Sequence, residues 1–191
     1  CVAFSLMFGI GGAARFNLAM GAGRKKEAAT YMGNALLMLV SCGIVLCIIV
    51  RLFLTPMLLL FGATDQVLDY ARTYTGITSL GFPFLILATV GGHLIRADGS
   101  PLFSMICNLV GAIVNTVLDA LFIFGFHMGM AGAAYATIIG QIISALLVIR
   151  YMCHFKTVPL HLSELKPKAD YIMHIVLLGT SPFINQIAMM I

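Results

Sequence analysis

Residues 108–141 read NLVGAIVNTVLDALFIFGFHMGMAGAAYATIIGQ, an apolar helix, a glycine-rich turn and a second apolar helix. The stretch carries a single acidic side chain, Asp119. A charged group at the centre of a membrane helix costs about 3 kcal/mol even on lenient scales, and it usually faces the bundle interior or a water-filled cavity. The stretch therefore predicts two membrane-spanning helices, with Asp119 as the first candidate for a functional residue.

Two amides precede Asp119 on the same helix. Asn115 lies one turn before it and Asn108 two turns before Asn115, so all three share one face. Amides in membrane helices often serve only as hydrogen-bonding contacts between helices. That structural reading has equal weight for Asn108 taken singly, whereas an ionisable group such as Asp119 favours a functional role.

The second helix can be placed by counting from the turn. If the turn is centred near position 128, Asp119 and Thr137 are equally far from it, as are Asn115 and Gln141. Two antiparallel helices rise equally per residue. We therefore expect Asp119 level with Thr137 near the outer end of the bundle, and Asn115 level with Gln141 one turn deeper.

These side chains suggest a cation site. A carboxylate, an amide oxygen and a hydroxyl form a hard, oxygen-rich pocket that suits a proton or a small hard cation such as Na⁺. We predict that Asp119, Asn115 and Thr137 bind the proton or Na⁺. Gln141 and Asn108 are candidates for outer supporting groups, with packing between helices as the equal alternative for each.

The composition is that of a polytopic membrane protein. Hydrophobic residues make up 61% of the chain and charged residues 9%, with a mean hydropathy of +1.04, whereas soluble domains average about 25% charged residues. The chain begins at Cys1 and stops at Ile191, both within apolar runs, so we expect a fragment of a longer protein.

The cysteines and the basic residues exclude other classes. The 5 cysteines form no CxxC pair and have no histidine at metal-ligand spacing, so neither a disulfide framework nor a zinc site is predicted. The net charge of +4 lies mainly in short loops, where membrane topology explains it better than nucleic-acid binding.

Further spans are predicted along the chain. Residues 28–50 and 73–95 contain no Asp, Glu, Lys or Arg and are each long enough to cross about 30 Å of hydrocarbon. We expect Pro56 to end the helix before it, and Pro83 to weaken or bend the span that contains it. The other predicted spans are residues 1–20, 101–126, 129–153 and the segment that begins at 171.

The positive charges set the orientation. In this arrangement only Arg51 and Arg72, of the 11 basic residues, lie on the outer side. Basic residues in short loops concentrate on the cytoplasmic side of membrane proteins. The alternating crossings are therefore consistent with one another.

The ordered series GAGRKKEA, YTGITSLGFPFLILATVGGHLIRADGSP and the segment 108–141 resembles the multidrug and toxic compound extrusion (MATE) transporters. The resemblance covers essentially the whole chain, from the family's second helix to the start of its seventh. The proline-containing fourth span, the R-A-x-G-x-x turn and the N-x-x-L-D helix occur in the family's order and spacing.

The resemblance implies an all-α, MATE-type helical bundle within a twelve-helix, two-lobe transporter. Residues 1–155 would be helices two to six of the N-terminal lobe, 156–170 the cytoplasmic inter-lobe linker and 171–191 the start of helix seven. The protein would be a multi-pass monomer in the bacterial cytoplasmic membrane. It would export cationic or amphipathic xenobiotics by antiport with Na⁺ or H⁺ and need no other cofactor.

The resemblance also implies roles for particular residues. In the DinF-like branch, an Asn and an Asp of the fifth helix and a Thr of the sixth coordinate the cation, which correspond here to Asn115, Asp119 and Thr137. The family's acidic residue on the first helix would precede Cys1. A NorM-like glutamate does not follow Pro182 in this sequence, which favours the DinF-like or MepA-like arrangement.

Three alternatives remain. A lipid-linked oligosaccharide flippase of the same superfamily would place arginines in its central cavity, whereas the arginines here fall near membrane boundaries. An intramembrane enzyme would need paired acids or a nucleophile with its base, so we predict that the protein is not an enzyme. A purely structural membrane subunit would leave Asp119 unexplained.

Overall fold

The computed structural model describes residues 2–60, 62, 64–155 and 167–189, and these residues form a bundle of eight α-helices. The predicted linker 156–170 lies mostly outside the described residues, together with Lys156 and Lys166. The helices are α1 (Val2–Gly21), α2 (Lys25–Leu52), α3 (Leu54–Leu60), α4 (Asp65–Thr78), α5 (Phe82–Ala97), α6 (Pro101–Ala120), α7 (Gly129–Met152) and α8 (Ala169–Ala188).

Five segments of the described chain are long and apolar enough to cross a membrane. Only a helix satisfies all of its own backbone hydrogen bonds in lipid, so runs of this composition fold as helices. The prediction of an all-α polytopic membrane protein is confirmed. The segments are α1, α2, Gln66–Ala97, Pro101–Gly125 and α7.

The core lies between α1, α2 and α5. Helix α8 packs against α1 and α2, and the pair α6 and α7 packs mainly on α5 through α7. Lipid tails are as apolar as these side chains, so close packing, rather than the hydrophobic effect, holds the helices together. The largest fully buried core side chains are Phe16, Met32, Leu39, Ile86, Leu94 and Ile95.

The span predicted at residues 73–95 is longer and is interrupted. Helices α4 and α5 are joined by a 3₁₀ turn, Ser79–Gly81, and together they extend over Gln66–Ala97. Pro83 lies in the first turn of α5, where its missing N–H has no intrahelical partner to lose. The proline therefore starts a new helix after a break.

Pro56 follows the end of the helix before it. Helix α2 ends at Leu52, four residues before Pro56, and Pro56 lies within the first turn of α3. Proline has no N–H to donate to the carbonyl four residues earlier, here that of Leu52, and its ring clashes with that carbonyl. The N–H groups of a first turn have no intrahelical acceptor, so proline is tolerated there. Pro56 is therefore compatible with both the end of α2 and the start of α3.

Helices α6 and α7 form an antiparallel hairpin through a compact turn. The end of α6 widens into a π-helical turn, Leu121–Gly125, and the reversal follows with positive φ angles of 52° at His127 and 55° at Gly129. The N–H of Met128 donates to the carbonyl of Phe122 at 3.0 Å. This turn determines which residues of the two helices face each other.

The two helices of the hairpin approach until their backbones touch. A Cβ atom on Gly140 would lie 2.7 Å from the carbonyl oxygen of Gly111 and 3.0 Å from Cβ of Asn115. Small residues at such positions permit close helix contact in membranes. The approach brings polar groups of α6 within reach of α7.

Candidate functional site

Asn115 and Thr137 meet across the hairpin. Nδ2 of Asn115 donates to Oγ1 of Thr137 at 3.4 Å, and the Thr137 hydroxyl donates to the carbonyl of Ala133 at 2.9 Å. The amide nitrogen and the hydroxyl hydrogen are thus directed to protein partners. The Asn115 amide oxygen and a lone pair on Oγ1 of Thr137 are the groups suited to coordinate a cation.

Asp119 lies one turn further toward the turn between α6 and α7, on the same helix as Asn115. Its side chain is half-buried, and its Oδ1 atom is buried with no hydrogen-bond partner among the described residues. A buried oxygen without a hydrogen-bond partner is free to coordinate a bound cation. The cation-binding role of Asp119 stays a prediction.

The register of the hairpin differs by about one turn from the count along the sequence. Thr137 contacts Asn115, which the count placed one turn deeper, and Gly140 also packs on Asn115. The π-helical turn on the α6 side is wider than an α-turn and advances less per residue. More residues of α6 are therefore needed to match a given rise of α7.

A cavity of about 250 Å³ lies beside this contact, between α5, α6 and α7. The wall includes Asn115 and Thr137, and Asp119 lies one turn beyond it. Its polar side chains are neutral amides and hydroxyls. The lining residues are Leu85, Ala88, Thr89, Asn108, Gly111, Ala112, Asn115, Thr137, Gly140, Gln141 and Ser144.

The two candidate supporting groups, Gln141 and Asn108, both line this cavity. Gln141 packs its Oε1 atom against Gly81 in the 3₁₀ turn, where a Cβ atom would collide with it. That oxygen is buried and has no hydrogen-bond partner within the described chain. Asn108 is exposed, at the end of the cavity nearer the start of α6. Gln141 therefore contributes an acceptor oxygen to the cavity, and Asn108 contributes an exposed amide at the opposite end.

Sequence reasoning missed the contribution of α5. Thr89 forms part of the cavity wall, and its hydroxyl donates to the carbonyl of Leu85 at 2.8 Å. Thr89 is one of several hydroxyl-bearing residues in its span, so its presence there is a weak signal for a functional wall. The predicted Asp119, Asn115 and Thr137 set lies on α6 and α7 alone, so nothing in the spacing indicated a third helix.

The ligand chemistry of the site is that of oxygen. Within the described residues no three His, Cys, Asp or Glu side chains come together as a metal-binding group. The candidate site comprises the amide and hydroxyl of the Asn115–Thr137 contact and one carboxylate, Asp119, which lies one turn further along α6 and outside the cavity wall. One negative charge among neutral oxygens matches the charge of a proton or a monovalent cation.

A family model described as MatE matches residues 1–121, which is more than half of the chain. The chain belongs to the MatE family. The resemblance drawn from the sequence is therefore confirmed. The MatE assignment also fits the bundle described above, in which the matched residues extend from α1 to the end of α6.

Individual MatE relatives agree with this assignment. The chain is 30% identical to the multidrug export protein MepA of Staphylococcus saprophyticus over 76% of its own length and 33% of that protein. It is 28% identical to MepA of Staphylococcus haemolyticus over 98% of its length and 42% of that protein. The chain thus spans less than half the length of these curated relatives.

A solved structure gives the same fold. The inward-facing conformation of a multidrug resistance MATE family transporter of the MOP superfamily matches with a TM-score of 0.92. The match covers 98% of this chain and 43% of that chain at 22% sequence identity. The helical arrangement is therefore that of the MatE family.

Proposed function

We propose that the protein exports small cationic or amphipathic compounds across the bacterial cytoplasmic membrane in exchange for Na⁺ or H⁺. Asp119, Asn115 and Thr137 would hold the coupling cation. The observation that carries the proposal is the buried Oδ1 atom of Asp119, which has no hydrogen-bond partner in the described chain. The MepA proteins, named as multidrug exporters, support the substrate class.

The mechanism follows from a single negative charge. A carboxylate away from water needs a cation beside it to balance its charge. A proton or Na⁺ therefore competes with a cationic substrate to balance the negative charge of Asp119. If the two occupants favour different arrangements of the helices, the binding of one promotes the release of the other.

The contact between Asn115 and Thr137 would adapt the site to its cation. At 3.4 Å the hydrogen bond is long, so a small movement of α6 against α7 would free Oγ1 of Thr137, while the Asn115 amide oxygen takes no part in the bond. The glycine contact at Gly111 and Gly140 holds the helices close enough for one cation to reach both. Asp119 would supply the charge and the neutral groups the remaining coordination.

The flippase alternative has less support. A pyrophosphate-binding cavity needs positive charge, and the cavity between α5, α6 and α7 is lined by neutral side chains only. Arg15, which lies within α1, directs its Nε atom to the carbonyl of His174 at 3.4 Å. Neither feature provides an anion site in the described part of the chain, and Nε of Arg96, which lines a separate cavity at the start of α6, is already bonded to Ser104 and to the carbonyl of Gly92.

The decisive experiment is Asp119→Asn in the full-length protein. The change keeps the size of the side chain and removes its charge, so energised efflux of a fluorescent cationic dye should fall to background. Asp69→Asn is the matched control, because Asp69 is exposed on α4. Unchanged efflux and unchanged cation dependence in Asp119→Asn would overturn the proposal.

The coupling ion is tested separately with reconstituted vesicles. Dye efflux driven by an imposed Na⁺ gradient is compared with efflux driven by an imposed pH gradient. Each gradient should fail to drive the Asp119→Asn variant. Dye efflux from vesicles that contain the wild type or Asp119→Asn, with neither gradient present, would contradict an exchange mechanism.

A further inference from the structure

Helix α6 carries a polar face that continues below the candidate site. Ser104, Asn108, Asn115 and Asp119 follow each other at intervals of one or two turns and share one side of the helix over about 22 Å. Gly111 lies on the same side and adds no bulk. The opposite side is exposed and apolar, with Ile106, Leu109, Ile113 and Val117. The apolar side is suited to contact with lipid, whereas the polar side is not.

A second cavity lies at the N-terminal end of α6. Its volume is about 310 Å³, and its walls are Arg96, Pro101, Ser104, Met105 and Asn108. Asn108 also lines the 250 Å³ cavity that reaches Asn115 and Thr137. One exposed amide side chain is therefore the boundary between the two cavities. Each cavity has room for several water molecules, since a molecule of liquid water takes about 30 Å³.

The lower cavity has a built polar wall. Nε of Arg96 donates to Oγ of Ser104 and to the carbonyl of Gly92, each at 3.2 Å. The Ser104 hydroxyl donates to the same carbonyl at 3.0 Å, and Ser104 is 1% exposed. This triangle fixes the guanidinium at the predicted cytoplasmic end of the groove. The positive charge repels a cation at close range, so a cation that uses this groove passes Arg96 with its water shell in place.

The upper cavity supplies an acceptor of its own. Oε1 of Gln141 is buried without a hydrogen-bond partner in the described chain, and Gln141 lines the cavity together with Asn108. Such an oxygen is stabilised by water or by a passing cation. Ser144 is already satisfied, because its hydroxyl donates to the carbonyl of Cys107 at 3.0 Å. The acceptor at Gln141 thus lies between Asn108 and the Asn115–Thr137 contact in the cavity wall.

We propose that this groove is the cytoplasmic access path of the cation site. Water fills both cavities, and the coupling cation passes Asn108 on its way between the Asn115–Thr137 contact and the cytoplasm. The Asn108 amide carries both a donor and an acceptor, so it can bind either water or Na⁺ in transit. The inference rests on the proposed exchange function, but the water-filled groove can be tested without transport.

The test uses cysteine reactivity in the full-length protein, starting from a parent whose native cysteines are replaced by alanine. Asn108→Cys and Ala112→Cys place a thiol in the groove, and Leu109→Cys and Ile113→Cys place one on the exposed apolar side. A small anionic methanethiosulfonate is applied to the cytoplasmic face of inside-out vesicles. The groove thiols should react at least about tenfold faster, since the reactive thiolate forms in water and not in lipid.

Equal rates at the four positions, or reaction of the groove thiols only from the outer face, would overturn the path. Ala112→Cys serves as the second groove position if Asn108→Cys fails to fold. The outcome is independent of Asp119→Asn, because reactivity is measured without substrate or gradient. Failure of exchange and failure of the access path are therefore distinguishable.

A second measurement tests passage itself. Asn108→Leu replaces the amide by an apolar side chain of similar size, so it should slow gradient-driven exchange several-fold while equilibrium ²²Na⁺ or proton binding persists. Asn108→Gln should restore the rate, and Leu109→Ile on the apolar side should leave it unchanged. Wild-type exchange in Asn108→Leu would contradict the assigned route.

Discussion

The hydroxyl of Tyr151, at the end of α7, donates to Oδ2 of Asp98 in the turn between α5 and α6 at 2.8 Å. Asp98 is 3% exposed and Tyr151 8% exposed, so this bond joins three helices at a buried point. The 250 Å³ cavity lies between the same three helices.

Removing the hydroxyl should destabilise the bundle. Tyr151→Phe leaves an acceptor oxygen of Asp98 without this donor, and hydrogen bonds to charged groups contribute about 1.5–3 kcal/mol. We expect a lower thermal unfolding temperature for the purified full-length protein in detergent. Tyr135→Phe is the control, because Tyr135 is 45% exposed. Equal unfolding temperatures for the two variants would show that the Tyr151–Asp98 contact does not stabilise the bundle.

Thr137→Val should weaken the binding of the coupling cation and leave the fold intact. The change conserves shape and removes the oxygen that accepts from Asn115 and faces the proposed site. Because Asp119 still supplies the charge, efflux should persist at saturating cation, with the half-saturating concentration raised roughly tenfold, equivalent to about 1.4 kcal/mol.

Thr116→Val is the matched control for that measurement. Thr116 is exposed on α6, and its hydroxyl donates to the carbonyl of Ala112 at 2.9 Å. The cation dependence of its efflux should equal that of the wild type. A similar shift of the half-saturating cation concentration in both variants would contradict the assigned role of Thr137. It would show that the loss of any threonine hydroxyl bonded to its own helix causes the change.

Gly140→Ala should separate α6 from α7. The new methyl would lie 2.7 Å from the carbonyl oxygen of Gly111, a backbone atom that cannot rotate away. Overpacking of this kind costs about 1–3 kcal/mol. We expect lower thermal stability together with weaker cation dependence, since Asn115 would be displaced from Thr137. Gly21→Ala has open space around it and should change neither quantity.

Asn34 should hold the start of α8. Its Oδ1 accepts the backbone N–H of Lys168 at 2.9 Å, its Nδ2 donates to the carbonyl of Thr30, and Asn34 is 0% exposed. In Asn34→Leu the Lys168 amide should exchange with solvent deuterium roughly fivefold faster, because its bond contributes about 1 kcal/mol. Asn17→Leu, at an exposed position of α1, should leave that exchange rate unchanged.

The sequence alone indicated the helices and the charged residue of the site. Uncharged apolar runs must form helices in lipid, because no other local structure satisfies their backbone groups there. The shared face of Asn108, Asn115 and Asp119 followed from the period of the α-helix, which depends only on positions along one chain segment. Pro56 and the break at Ser79–Gly81 were harder to place, since a proline is compatible with both the end and the start of a helix.

The tertiary structure decided which groups meet. The Asn115–Thr137 contact depends on the π-helical turn and on the close approach at Gly111 and Gly140, and neither is a property of a single helix. The wall contributed by Thr89 depends on how α5 packs against the hairpin. Periodicity fixes the face of each helix, but the register and rotation between helices are set by turns and side-chain volumes far apart in the chain, and only the folded bundle brings these together.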